Sequence, residues 1–68
     1  MTFFKDRLKE LRTEKEWTQG ELAALLGTTS DSVYSWEKGR SEPSIAMICS
    51  LCKCFHVTAD YLLGLEED

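Results

Sequence analysis

The chain has 68 residues, with twelve acidic and eight basic side chains that give a formal charge of −4 at pH 7. Its length allows one small domain, and a hydrophobic content of 43% indicates a globular chain rather than a disordered one. No apolar run reaches the roughly eighteen residues of a transmembrane helix. The N-terminus also lacks the long apolar stretch of a signal peptide, so we expect a cytoplasmic protein without a membrane partner.

The reactive side chains argue against an enzyme. His56 is the single histidine, and the sequence contains neither a glycine-rich phosphate loop nor a nucleophile beside a credible base. The three cysteines, Cys49, Cys52 and Cys54, are an odd number within one short segment, which does not make a disulfide framework. In a reducing compartment they are more simply small buried hydrophobic residues.

Helical periodicity runs through the whole sequence, with almost no strand signal. It predicts one domain over 1–68, an all-α compact bundle of five short helices at about 3–15, 18–26, 29–38, 44–55 and 58–63, with a frayed tail at 64–68. In the first helix, Phe4, Leu8 and Leu11 recur at i, i+4 and i+7 among charged residues. This spacing is typical of a helix with one buried stripe.

The second predicted helix has the clearest boundaries. In "TQGE", Thr18 can act as N-cap while Glu21, three residues later, reaches back to the cap amide, which is a capping box. Gly27 then ends the helix as a left-handed residue.

The third predicted helix is short and mostly polar. Thr29 caps it and Gly39 follows its end, while Val33 and Trp36 lie on one face. We expect Trp36 to pack in the core. A helix of this length is not stable alone in water, so neighbouring helices must hold it while its polar side faces outward.

The fourth and fifth predicted helices follow the break at Pro43. Ser44 and Thr58 are their N-caps, and His56 stands at the end of the fourth helix, where it would be a strained C-cap. The spacing predicts an inward stripe on the fourth helix made of Ile45, Ile48, Cys49, Cys52 and Phe55.

The second and third helices, joined by a tight turn at Gly27, have the arrangement of a helix-turn-helix. Four further motifs are more specific: "TQ" before "ELA", "LGTT", "WEKGR" with "EPS", and "DYLLG". In combination, from about Leu8 to Gly64, the chain resembles the Cro/C1-type helix-turn-helix family of bacterial and phage transcriptional regulators. The resemblance implies a lambda-repressor-like domain that binds near-palindromic double-stranded DNA as a homodimer, with the third helix in the major groove. We expect no cofactor and no small-molecule ligand.

The resemblance also implies roles for individual residues. The positions that reach base edges are Ser30, Asp31 and Ser35, with Tyr34 at their margin. The positions that contact phosphates are Gln19, Thr29, Lys38 and Arg40. Arg12 and Glu37 match a structural ion pair between the first helix and the end of the third.

The acidic composition does not exclude DNA binding. Four of the twelve acidic residues lie in 58–68, which contains no basic residue, so residues 1–57 hold eight of each sign. If Arg12 neutralises Glu37, the proposed DNA surface keeps Asp31, Lys38 and Arg40, a net charge of +1. We therefore expect few ionic contacts per subunit and a shallow salt dependence of binding.

Several residues have two readings. Asp31 can accept a hydrogen bond from cytosine N4, or can simply be a carboxylate favoured at a helix N-terminus, and both can hold together. Ser30 and Ser35 could be ordinary solvated residues, and Tyr34 could stack along a sugar or a thymine methyl instead of reading a base.

A metal site is the weaker reading of the cysteines. Cys49, Cys52 and His56 share one stripe of the fourth helix, but with the off-face Cys54 they do not make a four-ligand zinc site, which normally draws on two segments. We therefore expect no metal.

The chain carries more apolar residues near its end than a small core needs, namely Met47, Cys54, Tyr61, Leu63 and Leu65. Core packing is their default, and a two-fold interface through helices four and five is the alternative. The sequence thus favours a small repressor. A protein-interaction module, such as an antitoxin component, and a redox or metal sensor are the other classes.

Overall fold

Five helices make up the part of the chain that the computed structural model describes, residues 3–65. They are α1 (Phe4–Glu14), α2 (Gln19–Leu26), α3 (Ser30–Glu37), α4 (Ile45–Phe55) and α5 (Ala59–Leu63). No strand occurs between residues 3 and 65, so the predicted all-α class is confirmed. None of these helices combines the length and the apolar character needed to cross a bilayer. The end of the predicted tail, 66–68, lies outside the described residues.

Side-chain caps begin four of the five helices, as the sequence predicts. The hydroxyl oxygens of Thr18, Thr29, Ser44 and Thr58 each accept a hydrogen bond from a backbone N–H in the first turn. At α2 the capping box is complete, because the Thr18 N–H also donates to Oε1 of Glu21 at 2.8 Å.

One fully buried side chain from each helix meets at the centre of the bundle. These five side chains have no exposed surface and are Leu8, Leu22, Val33, Leu51 and Leu62. Trp36 is also buried, as expected, and Trp17 is half-buried with its ring 5.6 Å from that of Phe55. Because α3 contributes Val33 and Trp36 to this core, its opposite side is left to face outward.

The inward stripe predicted for α4 is partly wrong. Ile45 is 85% exposed and Cys49 is exposed, whereas Leu51, which the prediction omitted, is fully buried. Ile45 is the first residue of α4 and lies beyond the edge of the core, so correct helical spacing does not bury it. The buried side of α4 is centred on Leu51 and Phe55, one turn apart.

Arg7 fastens the short helix α5 to α1. Its Nη1 donates a hydrogen bond to the carbonyl oxygen of Tyr61 at 2.9 Å, and its guanidinium carbon lies 4.1 Å from the centroid of the Tyr61 ring. A helix of five residues has little stability of its own, so this contact and the burial of Leu62 hold α5 in place.

His56 ends α4 in the left-handed conformation, with φ 58° and ψ 45°. An L-residue with a Cβ pays about 1 kcal/mol or more for this conformation, and glycine does not. We expect His56→Gly to raise the free energy of unfolding by about 1 kcal/mol, which corresponds to roughly 4–8 °C in the thermal midpoint of a domain this small. His56→Ala keeps the Cβ and should gain nothing. Equal midpoints for the two variants would contradict the argument.

Candidate nucleic-acid interface

The turn between α2 and α3 depends on the conformation of Gly27. Its φ of 74° is left-handed, and the Thr28 N–H donates to the carbonyl oxygen of Ala23 at 2.9 Å, which closes the end of α2. A Cβ at position 27 would meet no atom within 4 Å, so glycine is needed there for its backbone conformation rather than for space.

The outward side of α3 carries the residues expected to reach bases. Ser30 and Asp31, in the first turn, are exposed, and Tyr34 is 40% exposed. Ser35 is half-buried, and its Oγ accepts a hydrogen bond from the Ser41 hydroxyl at 2.9 Å. The four residues therefore do not lie on one equally open surface, and Ser35 is the most recessed of them.

A polar network fixes α3 to both neighbouring helices. Arg12 and Glu37 form a two-point ion pair, with 2.7 Å between Nε and Oε2 and 3.1 Å between Nη2 and Oε1. Arg12 Nη1 also donates to the carbonyl oxygen of Trp17 at 2.7 Å, and Gln19 Nε2 donates to Glu37 Oε1 at 3.1 Å. The network joins α1, the start of α2 and the end of α3.

The ion pair is largely shielded from water. The Arg12 side chain is 12% exposed and that of Glu37 is 4% exposed. The hydrogen bond to Glu37 raises the pKa of Arg12 above its usual range, and burial opposes that change. The Arg12 guanidinium is therefore charged near neutral pH, and its two-point contact with Glu37 removes that side chain from the charge that a polyanion would meet.

The residues expected to contact phosphates lie at both ends of the helix pair. Gln19, the first residue of α2, is half-buried, and the hydrogen bond to Glu37 uses one of its two amide hydrogens. The Thr29 hydroxyl accepts from the Ser32 N–H as the N-cap of α3 and lies 3.1 Å from the Ser32 hydroxyl. Lys38 and Arg40 are exposed at the end of α3.

Lys5 is a further cation beside these residues, and the sequence analysis missed it. A Cβ at Gly39 would lie 3.2 Å from Cδ of Lys5 and 3.8 Å from its Nζ, so this side chain from α1 lies over the turn between Lys38 and Arg40. No local signal in the sequence brings residue 5 beside residue 39. With Lys5 included, the proposed DNA surface holds one acidic residue, Asp31, and three basic ones.

The cysteines do not gather into a metal site in the described structure. Within residues 3–65, no three side chains of the metal-binding types come together. Burial raises the pKa values of Cys52 and Cys54, and the neighbouring Cys49 adds to the effect at Cys52. These two thiols are therefore less readily ionised than an exposed cysteine, although Lys15 partly opposes the effect at Cys54.

An apolar groove of about 420 Å³ lies on another part of the surface, where α4 and α5 meet the start of α1. Ile45, Ile48, Ala59, Leu63 and Phe4 contribute to its walls. Met47, Cys54, Tyr61 and Leu63 are partly buried against the core, whereas Leu65 is 68% exposed. The groove, with the exposed Ile45 in its wall, is the apolar surface that the predicted two-fold interface would use.

Comparison with known proteins places this arrangement in one family. The family model described as Helix-turn-helix matches residues 8–62. The HTH-type transcriptional regulator AnsR of Bacillus subtilis is 39% identical over 62 residues, which are 91% of this chain and 53% of AnsR. This chain spans 31% of the length of another relative, the HTH-type transcriptional activator BcrR of Enterococcus faecalis.

Two solved structures have the same fold. The restriction-modification controller protein C.AhdI from Aeromonas hydrophila is 34% identical, with a TM-score of 0.78 over 87% of this chain and 86% of that one. The P22 c2 repressor, solved in complex with a synthetic operator, has a TM-score of 0.87 over 93% of this chain and 96% of that one. At 24% identity, the latter shows the fold alone, and it confirms the lambda-repressor-like architecture predicted from the sequence.

Proposed function

Because the chain belongs to the helix-turn-helix family, we propose that it is a sequence-specific DNA-binding transcriptional regulator that acts as a small repressor. One observation carries the proposal. The α3 helix buries Val33 and Trp36, is fixed through Glu37 to both neighbouring helices, and leaves its polar side exposed. A short helix held in this way is suited to present side chains to a partner rather than to the core.

The dimensions of α3 fit the major groove of DNA. At about 1.5 Å per residue its eight residues span about 12 Å, which is close to the width of that groove. Ser30 and Asp31 stand in its exposed first turn and are the leading candidates for contact with base edges. Ser35 already accepts a hydrogen bond from Ser41, and its own hydroxyl proton remains available to donate to a base.

In this proposal the Asp31 carboxylate accepts a hydrogen bond from the N4 amino group of a cytosine. We expect Asp31→Asn to change the preferred base at one position of each half-site, because an amide pairs better with adenine. The measurement is selection of bound duplexes from random DNA with the wild type and the variant. An unchanged preference at every cytosine would leave Asp31 only its favourable place at the start of α3.

In this proposal, residues at the two ends of the α2–α3 pair bind phosphates of the DNA backbone. The second amide hydrogen of Gln19 and the hydroxyl of Thr29 would donate to phosphates near the N-termini of α2 and α3, where backbone N–H groups also favour anions. Lys38 and Arg40 supply the charge. This division leaves α3 to select the sequence and the flanking residues to hold it in register.

We expect Lys38→Ala or Arg40→Ala to weaken binding to every duplex by a similar factor. Each substitution should also lower the slope of log affinity against log salt concentration by about 1, since one fewer counterion is displaced. Lys53→Ala, on α4, removes an exposed lysine at a groove with Leu25 and Leu26, and is the matched control that should change neither quantity. A loss of sequence discrimination at constant slope would contradict the phosphate assignment.

A homodimer through α4 and α5 completes the proposal. Ile45 forms part of the wall of the apolar groove and is 85% exposed, so this apolar surface is open to a two-fold contact with a second copy. Such a dimer would present two α3 helices to successive major grooves about 34 Å apart, and so would read a near-palindromic site.

Selection of bound sequences from a random duplex pool is the experiment that tests the function. We expect a near-palindromic consensus whose half-sites are separated by about one helical turn. If the protein binds no duplex in dilute buffer, the proposal is wrong. The apolar groove would then favour the second candidate, a protein-interaction module such as an antitoxin component.

A further inference from the structure

Four side chains at the end of α3 lie close to one another or to Gly39. Three are cations, Lys5, Lys38 and Arg40, and the fourth is the aromatic residue Tyr34. The Lys38 Nζ lies 5.6 Å from the centroid of the Tyr34 ring, and the guanidinium carbon of Arg40 lies 5.7 Å from it. Both distances fall within the range of a cation–π interaction.

The backbone brings Arg40 back to this ring. Gly39 has a φ of 74°, and after it the Arg40 N–H donates to the carbonyl oxygen of Ser35 at 2.9 Å. The Ser41 hydroxyl donates to Ser35 Oγ at 2.9 Å and fixes the following residue to α3 as well. Arg40 therefore folds back along the helix. The Tyr34 ring consequently lies near two cations, Lys38 at the C-cap of α3 and Arg40 in the loop that follows.

We infer that Tyr34 is a positioning residue whose ring holds Lys38 and Arg40 in place, so that with Lys5 they form one preordered surface for DNA phosphates. The inference rests on the proposed function and changes the expected role of Tyr34 from the margin of the base-reading surface to the backbone contact. Long basic side chains lose conformational freedom when they bind a phosphate, and cations already held by a ring lose less of it. The gain in affinity is the same for every DNA sequence, because phosphates carry no sequence information.

Substitution of the ring separates this role from base reading. Tyr34→Leu keeps an apolar side chain but removes the aromatic face, and Tyr34→Phe keeps the face and removes the hydroxyl. With a random-sequence duplex as probe, we expect Tyr34→Leu to weaken binding about five-fold, because two cation–π contacts are lost. The salt slope should stay at the wild-type value since no charge is removed. Tyr34→Phe should bind as the wild type does.

Lys5→Ala tests the third cation in the same titrations. We expect it to lower the salt slope by about 1, as Lys38→Ala does, while the control Lys53→Ala leaves the slope unchanged. An unchanged slope for Lys5→Ala would remove Lys5 from the phosphate-binding surface.

A spectroscopic measurement reports the positioning without DNA. Side-chain protons of Lys38 and Arg40 that lie over an aromatic face are shifted upfield in the NMR spectrum. We expect this shift in the wild type and in Tyr34→Phe, and its loss in Tyr34→Leu. Circular dichroism of the three proteins checks that α3 is intact, which the 40% exposure of Tyr34 leads us to expect.

Three results would overturn the inference. Equal affinity of Tyr34→Leu and the wild type for the random duplex would show that the ring does not help the cations. Absence of the upfield shifts in the wild type would show that the ring does not hold them. A change of preferred base in Tyr34→Phe, with random-duplex affinity unchanged, would make Tyr34 a base-reading residue. Failure of the wild type to bind any duplex is a different result, which refutes the proposed function itself.

Discussion

Replacement of Arg12 by methionine is expected to lower the free energy of unfolding by about 3–5 kcal/mol, a large part of the stability of so small a domain. The reason is the carboxylate that remains. The Glu37 side chain is 4% exposed and receives two hydrogen bonds from Arg12. Removal of the guanidinium leaves a buried carboxylate whose remaining partner among residues 3–65 is the Gln19 amide. Water cannot reach it easily to compensate.

The matched control for Arg12→Met is a double variant in which the carboxylate of Glu37 is removed as well. In the double variant Arg12→Met/Glu37→Met both ends of the pair become apolar, and replacement of a buried ion pair by packed apolar groups is often neutral or stabilising. We therefore expect the double variant to be more stable than Arg12→Met alone. Urea unfolding of the wild type, both single variants and the double variant measures the coupling. An Arg12→Met protein as stable as the wild type would show that the pair contributes nothing.

Replacement of Ile45 by asparagine is expected to weaken binding to the selected palindromic site about 100-fold or more. Burial of an isoleucine is worth about 1.5–3 kcal/mol, and a two-fold interface loses this twice because each copy carries the substitution. The folded monomer should lose little stability, since Ile45 is 85% exposed in it. Binding of single subunits to a random duplex should therefore persist.

Leu25→Asn is the matched control for Ile45→Asn. Leu25 is 59% exposed and lies on α2, away from the groove between α4 and α5. Its replacement makes the same change from an exposed aliphatic residue to an amide, so we expect the proposed dimer to remain. Sedimentation of the free proteins and titration of the palindromic duplex measure the two effects. If both variants bind the palindrome equally well, the dimer does not use this groove.

Local interactions made much of the fold predictable. The capping box at Thr18 and Glu21, the left-handed Gly27 and the strained His56 all involve groups within a few residues of one another. Such features depend on backbone geometry that is the same in any helix, so the residue types suffice to predict them. The stripe of Phe4, Leu8 and Leu11 was predictable for the same reason.

The candidate site was predictable only in part. Family motifs led to the Arg12–Glu37 pair, whose partners are 25 residues apart and share no local pattern. They did not lead to the hydrogen bond between Gln19 and Glu37, or to Lys5 over Gly39. Those contacts depend on where α1 and α2 cross α3, and spacing along one helix carries no information about crossings.

The sequence by itself determined which segments are helical, where their caps lie and which residues of α3 face the core, because each of these follows from hydrogen bonds and side-chain periodicity over a few residues. Tertiary packing decided the rest. It left Ile45 outside the core although its spacing is that of a buried residue, enclosed Leu51, and opened the groove between α4 and α5. It also placed two cations, Lys38 and Arg40, beside the Tyr34 ring, and a third, Lys5, beside Gly39. The physical reason is that burial depends on where neighbouring helices end, and that is settled only when all five pack together.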